Sequence, residues 1–236
     1  MSKKERDFHA FPIQNAIVWG DSLARGVVLD EERQRYTITP SPAVSIVSEA
    51  LGIHIQNRSR MGMTSSDGMQ MMQRDLARGL RADVAVLEFG GNDCDFCWQE
   101  ISDAPKGLHL PKTSAAQYEE NMRSMIAAAK EAGMEPVLIN LPPVNPESYL
   151  SFLTRHGLSR ENILRWLGDT FQIYRYQERY SMIVTRIAHE CQCRLIDVRS
   201  AFLNVWDCTT ALFCRDGIHP TAAGQRLIGD AVLASL

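Results

Sequence analysis

The sequence predicts an α/β fold in which a parallel sheet is covered by helices. Three observations carry that reading. Short apolar runs of strand length recur along the chain, amphipathic stretches of helical spacing separate them, and three of the runs end in polar, glycine-containing turns. Parallel strands joined by helical crossovers bring their C-terminal ends to one edge, where open α/β sheets bind ligands.

The first run, Ile17-Val18-Trp19, ends in Gly20-Asp21-Ser22-Leu23 and reads as a buried strand with Ser22 at its C-terminal end. Residues 40–51 read as a helix stopped by Gly52. Ile53-His54-Ile55 is a second, short strand leading into Asn57-Arg58-Ser59-Arg60-Met61-Gly62. From Ser66 onward, Met69, Met72, Leu76 and Leu80 keep helical spacing. Residues 83–89 form the third strand, which runs into Gly90-Gly91-Asn92-Asp93, and 96–111 reads as an irregular loop.

Ser114 with Gln117 predicts a capping box for a helix carrying Tyr118, Met122, Met125 and Ala129, which Gly133 ends. Residues 136–141 are the fourth strand, stopped by Pro142-Pro143. The stretch 146–171 reads as an insertion of short helical pieces rich in aromatics. A longer helix follows, with Ile173, Tyr176, Tyr180, Ile183 and Ile187 on one face. Residues 194–198 are the fifth strand, and the last helix runs from about 221 to the C-terminus. With no internal repeat, low-complexity tract or flexible linker, residues 1–236 are expected to form one domain.

The 45% hydrophobic and 22% charged content is that of an ordinary globular chain. A net charge of −3 gives no basic footprint for nucleic acid or for anionic membranes. No apolar run is long enough to span a bilayer, and the basic residues within 1–7 are followed by no apolar leader. A cytoplasmic, reducing setting is the expectation, with the six cysteines as free thiols. Oligomeric state is not legible.

The chemistry lies in four polar turns: Gly20-Asp21-Ser22, Met61-Gly62-Met63, Gly90-Gly91-Asn92-Asp93 and Asp216-Gly217-Ile218-His219-Pro220. Hydrolysis of an ester by Ser22 needs a base within hydrogen-bond reach, and His219 can serve. The imidazole needs an anionic partner, which Asp216 supplies from three residues earlier. Pro220 biases His219 away from helical backbone and holds it at the lip of the last helix. An oxyanion would find donors in the backbone N–H groups of Ser22 and Gly62 and in the Asn92 amide. Removing one such donor typically costs roughly 3–4 kcal/mol of transition-state stabilisation.

Each residue alone has a plainer reading. Ser22 is a turn former, His219 a helix-entry residue, Asn92 a turn residue and Gly62 a left-handed turn. It is their joint occurrence that favours catalysis. Asp21 and Asp93 read as braces for their loops, and Asp197 as structural.

The chain at this point resembles the SGNH or GDSL-type serine hydrolases. Gly20-Asp21-Ser22-Leu23 resembles the family's nucleophile block and Gly62 the second-block glycine, with Ser59 standing where a glycine is common. Gly90-Gly91-Asn92-Asp93 resembles the Gly-x-Asn-Asp block and Asp216 to His219 the Asp-x-x-His block. The resemblance implies Ser22 as nucleophile, Asp216 and His219 as its triad partners, and Ser22, Gly62 and Asn92 as the oxyanion hole. It also implies a three-layer, flavodoxin-like sandwich with a five-stranded parallel sheet between helices, and no cofactor or metal.

Several further residues are read as near the substrate. Met61 and Met63 flank Gly62 and form a pliable wall for an acyl group, whereas Met69 and Met72 read as core. The segment at about 143–180, with Tyr149, Phe152, Trp166 and Phe171, is either a helical cap over Ser22 or a packing surface, and Trp98 joins the cap in the first case. Cys94 and Cys97, like Cys191 and Cys193, read as free thiols rather than a redox or zinc pair.

The function expected is hydrolysis of a small, short-chain, acetyl-like ester through an acyl-enzyme on Ser22, with a small-molecule substrate as the only partner. A thioesterase, lysophospholipase or acyltransferase would use the same triad. Two readings of other classes are a metal-dependent phosphoesterase and an inactive binding module. The first would draw on Asp21, Asn92, Asp93, Asp216 and His219, but the remaining histidines lie in none of the four turns.

Overall fold

The computed structural model describes residues 13–236; residues 1–12, with the basic N-terminal stretch and His9, lie outside them. The chain opens with β1 (Asn15–Gly20), a single-turn helix α1 (Ser22–Arg25) and an antiparallel hairpin of β2 (Val27–Asp30) and β3 (Arg35–Ile38). Next come α2 (Ala43–Leu51), β4 (His54–Asn57), α3 (Ser65–Ala77) and β5 (Val84–Glu88). They are followed by α4 (Trp98–Asp103), α5 (Ala115–Glu131), β6 (Glu135–Ile139), α6 (Pro146–Thr154) and α7 (Arg160–Leu167). The chain ends with α8 (Phe171–Glu190), β7 (Arg194–Ile196), α9 (Val198–Leu203), α10 (Cys208–Ala211) and α11 (Ala222–Ala234).

Five strands form a parallel sheet in the order β4-β1-β5-β6-β7. Both faces are covered, so side chains alternate between two apolar layers. Ile17, Trp19, Ala85, Leu87 and Leu138 face α3, α5 and α8, where Met72, Met122, Met125 and Tyr180 are fully buried. Ala16, Val84, Val137 and Ile139 face the opposite layer with Phe202, Phe213 and Ile228. The chain leaves β1 for β4 on one side and then returns to β5 on the other. Ser22 therefore sits at the switch point where a sheet of this order opens a crevice.

The structure differs from the sequence expectation in specific places. The hairpin of β2 and β3 was not anticipated. The stretch expected as loop over 96–111 contains α4. Asp83 stands before β5 and uses its carboxylate to accept the N–H groups of Gln14 and Asn15 at 2.8 and 3.0 Å. Ser114 caps α5 by accepting from the Gln117 N–H, but the Gln117 side chain turns forward to Asn121, so the box is half formed. A complete capping box joins Thr64 and Asp67 at the start of α3.

Candidate active site

The C-terminal edge of the sheet gathers the four turns. β1 ends at Gly20, Asp21 accepts the Leu23 N–H at 2.9 Å, and Ser22 begins α1. The α1 turn is held from below by Glu88, the last residue of β5, whose Oε2 accepts the N–H groups of Asp21 and Ala24 at 3.2 Å each. Asn57 closes it from the side by donating to Ala24 O at 2.8 Å while accepting from Ser59 N at 2.9 Å. That second contact stiffens the loop leading to Gly62, whose φ of +78° requires the left-handed backbone that glycine adopts without strain.

The structure brings Ser22, His219 and Asp216 together. His219 Nδ1 donates to Asp216 Oδ2 at 2.6 Å, and His219 Nε2 lies 2.9 Å from Ser22 Oγ. With Nδ1 protonated toward the carboxylate, the Nε2 lone pair faces the serine hydroxyl. The other carboxylate oxygen of Asp216 accepts the N–H groups of Ile218 and His219 at 3.1 Å each, which fixes the turn. Burial raises the Asp216 pKa, but the His219 hydrogen bond and charge outweigh it and hold the group below its ordinary value. The carboxylate is therefore ionised beside the imidazole.

Ser22, Gly62 and Asn92 border one cavity of about 320 Å³. Asn92 donates from Nδ2 to Asp21 Oδ2 at 3.0 Å, which orients the amide. Asp93 is turned away and accepts the N–H and hydroxyl of Ser65, tying the β5 loop to α3. Asp197 caps α9 and binds Asn140. Both have the bracing contacts expected of them.

The pKa of Asp21 is raised to about 6, first by burial and then against the opposing Leu23 hydrogen bond and His219 charge. Glu88, also buried, lies well above the carboxylate range because of desolvation and the neighbouring Asp21 charge. Sequence reasoning did not single out Glu88, although a lone acid ending an apolar strand was a visible signal.

The cavity walls are aromatic and apolar. Phe96, Trp98, Val144, Tyr149, Ile173 and Tyr176 line the side reached by α4, α6 and α8. These residues share a small core with Leu150 and Ile163, which packs α6 and α7 onto α4. Asp95 pins the assembly by accepting Trp98 Nε1 at 2.7 Å, the Tyr149 hydroxyl at 2.9 Å and the Lys112 ammonium at 2.8 Å. With their polar ends satisfied there, Trp98 and Tyr149 present ring surface to the cavity.

Two expected wall residues are corrected. Met63 is 7% exposed and packs in the core beside α3 and α5, so of the methionine pair only Met61 borders the cavity. Trp166 stacks edge-on against Phe96 and His109, behind the wall rather than in it. Phe152, from the segment read as a possible cap, borders the cavity, and so does Tyr36, which was not foreseen; the Tyr36 ring, carried by the β2–β3 hairpin, lies 4.8 Å from the His219 ring. Cys94 is buried with its thiol bonded to Gly91 O, Cys97 is exposed, and both are free.

The fold and its catalytic edge define an α/β protein of the hydrolase type. Residues 18–227 match the GDSL-like Lipase/Acylhydrolase family, and the chain belongs to that family of ester hydrolases. No curated protein matches the chain significantly in sequence. Among solved structures it is similar to the lipase/acylhydrolase from Enterococcus faecalis, with 18% identity, 94% of each chain covered and a TM-score of 0.63. TesA is 21% identical, with 94% of this chain and 98% of that one covered and a TM-score of 0.62. A catalytic mutant of Axe2, an acetylxylan esterase from Geobacillus stearothermophilus, is 20% identical over 94% of this chain and 93% of that one, with a TM-score of 0.64. Among the described residues, no helix is long and apolar enough to cross a membrane.

Proposed function

We propose that the protein hydrolyses small carboxylic esters through an acyl-enzyme on Ser22. The observation that carries this reading is the unbroken line Ser22 Oγ–His219–Asp216, with contacts of 2.9 and 2.6 Å. In the first half-reaction Ser22 Oγ bonds to the carbonyl carbon while its proton passes to His219 Nε2. The carbonyl oxygen takes the negative charge beside the N–H groups of Ser22 and Gly62 and the Asn92 amide. The bond to the leaving oxygen then breaks, and the His219 proton goes to the departing alcohol. Water, deprotonated by His219, releases the acid and restores the serine.

The cavity volume of about 320 Å³ is at the low end for small-molecule sites, which favours a small substrate with a short acyl chain. The resemblance in fold to an acetylxylan esterase points the same way. The test is a panel of p-nitrophenyl esters from acetate to palmitate. Acetate and butyrate should be turned over efficiently, palmitate poorly, and Ser22→Ala should lose the activity. Turnover that survives Ser22→Ala, or that strong chelators abolish, would replace this reading with a metal-dependent phosphoesterase or another chemistry.

A further inference from the structure

The cavity at Ser22 shares the lining residues Tyr36 and Met61 with a second groove between the β2–β3 hairpin and the loop 57–61. The two spaces differ in chemistry. The first is walled by aromatic rings. The second is lined by Arg25, Arg58 and Arg60, and its lining contains no Asp or Glu among the described residues. Arg58 is engaged by Asp75 through two hydrogen bonds of 2.8 and 2.7 Å. Arg25 and Arg60 are exposed, and among the described residues neither has a salt-bridge partner. In a chain of net charge −3, this is a local excess of positive charge in a groove that adjoins the Ser22 cavity at Tyr36 and Met61.

Two exposed guanidinium forks that line one groove can together engage a phosphate, whose oxygens outnumber those of a carboxylate.

An ester has two parts, and the Ser22 cavity adjoins a groove of unlike chemistry. We propose that the arginine groove receives the phosphate of a phosphorylated alcohol or thiol leaving group, while the acyl chain occupies the aromatic cavity. This rests on the ester-hydrolase reading above and adds the leaving group to it. The leaving atom departs on the side of Tyr36, whose ring packs on His219, so the proton donor and the groove lie together.

Two matched pairs of substrates test the proposal. The first is 1-butyrylglycerol against 1-butyrylglycerol 3-phosphate; the second is S-butyrylpantetheine against S-butyryl-4′-phosphopantetheine. Within each pair the acyl group and scissile bond are the same and the phosphate differs. The phosphorylated member of at least one pair should show about tenfold higher kcat/KM, through KM. The pair that responds tells alcohol from thiol. The preference should shrink as salt is raised and fall to near one in Arg25→Gln/Arg60→Gln, or in the single variants where the double variant does not fold by circular dichroism.

Equal kcat/KM within both pairs, or a preference that survives loss of both arginines, would overturn the proposal while leaving Ser22 hydrolysis intact. A protein that turns over none of the four esters counts against the ester-hydrolase reading instead. The groove is then judged by calorimetric titration with glycerol 3-phosphate. Saturable binding weakened by the arginine substitutions supports it, and no binding, or binding unchanged by them, overturns it.

Discussion

The Asp21 carboxylate accepts the Asn92 side-chain amide at 3.0 Å, joining the residue before Ser22 to the amide proposed as an oxyanion donor. One Asp21 oxygen also accepts the Leu23 N–H, so a single group sets both the serine turn and the amide's direction. The Asn92 amide has two hydrogens, and committing one to Asp21 aims the other. Replacing Asp21 by Asn sets an NH₂ or a rotated amide against this donor. Asp21→Asn is expected to lower kcat on p-nitrophenyl butyrate by about 10²-fold with KM little changed, the scale of losing one oxyanion donor. A kcat within twofold of wild type would show that the contact does not serve the reaction.

The same carboxyl gives a pH signature. Its pKa, raised from 3.8 to about 6 mainly by burial, means that the fold favours the protonated form. Its contribution to stability is therefore complete below the unfolded value and is lost as pH rises through about 6. Activity runs the other way, because protonation below that point removes the charge that strengthens the Asn92 contact, and His219, as the proposed base, must also be unprotonated. The rate should fall on the acid side while this group adds stability. Thermal melts at pH 4.5 and pH 8 check the sign: Asp21→Asn should gain most over wild type at pH 8.

Gly217 sits inside the triad turn at φ +75°, and a Cβ there would lie 2.5 Å from Asn145 O and 2.8 Å from Tyr149 N. The Asn145 N–H also donates to Gly217 O at 2.8 Å, so the start of α6 rests on the backbone that holds His219. Gly217→Ala is expected to cost about 1–2 kcal/mol from the backbone conformation alone, and more from the collision. Denaturant melts should show that loss, and kcat should drop with it as the His219–Asp216 pair moves.

On the proposed reading, acyl chains meet the aromatic wall and not the core methionine. Met63→Ala should cost about 2–5 kcal/mol in stability and leave the acyl-chain profile unchanged. Ile173→Trp, which fills the cavity, should spare acetate and slow butyrate and longer esters. Both are read from the same p-nitrophenyl panel, with melting curves alongside.

The sheet and the meeting of Ser22, His219 and Asp216 at its edge were legible because they depend on local signals. Apolar runs ending in Gly20-Asp21-Ser22 and Gly90-Gly91-Asn92 state both strand and turn, and Asp216 and His219 share one turn. The hairpin was not legible: its strands have only four residues each, and β3 is mostly exposed, so its alternation is too short to mark a buried face. Tyr36 was missed with it, since its contact with His219 spans most of the chain. Met63 was misplaced because a residue beside Gly62 points inward or outward according to the turn's backbone, which flanking residues do not report. Glu88 shows the reverse case, in which the residue was in view but its buried Oε1, unpartnered among the described residues, emerges only from packing.

The most direct test of Ser22 as nucleophile is covalent labelling with a fluorophosphonate, followed by peptide mass analysis. The account expects one adduct, on Ser22, formed by the wild type and absent from Ser22→Ala, with labelling slowed in His219→Ala. An adduct on any other residue, or equal labelling of Ser22→Ala, would contradict it.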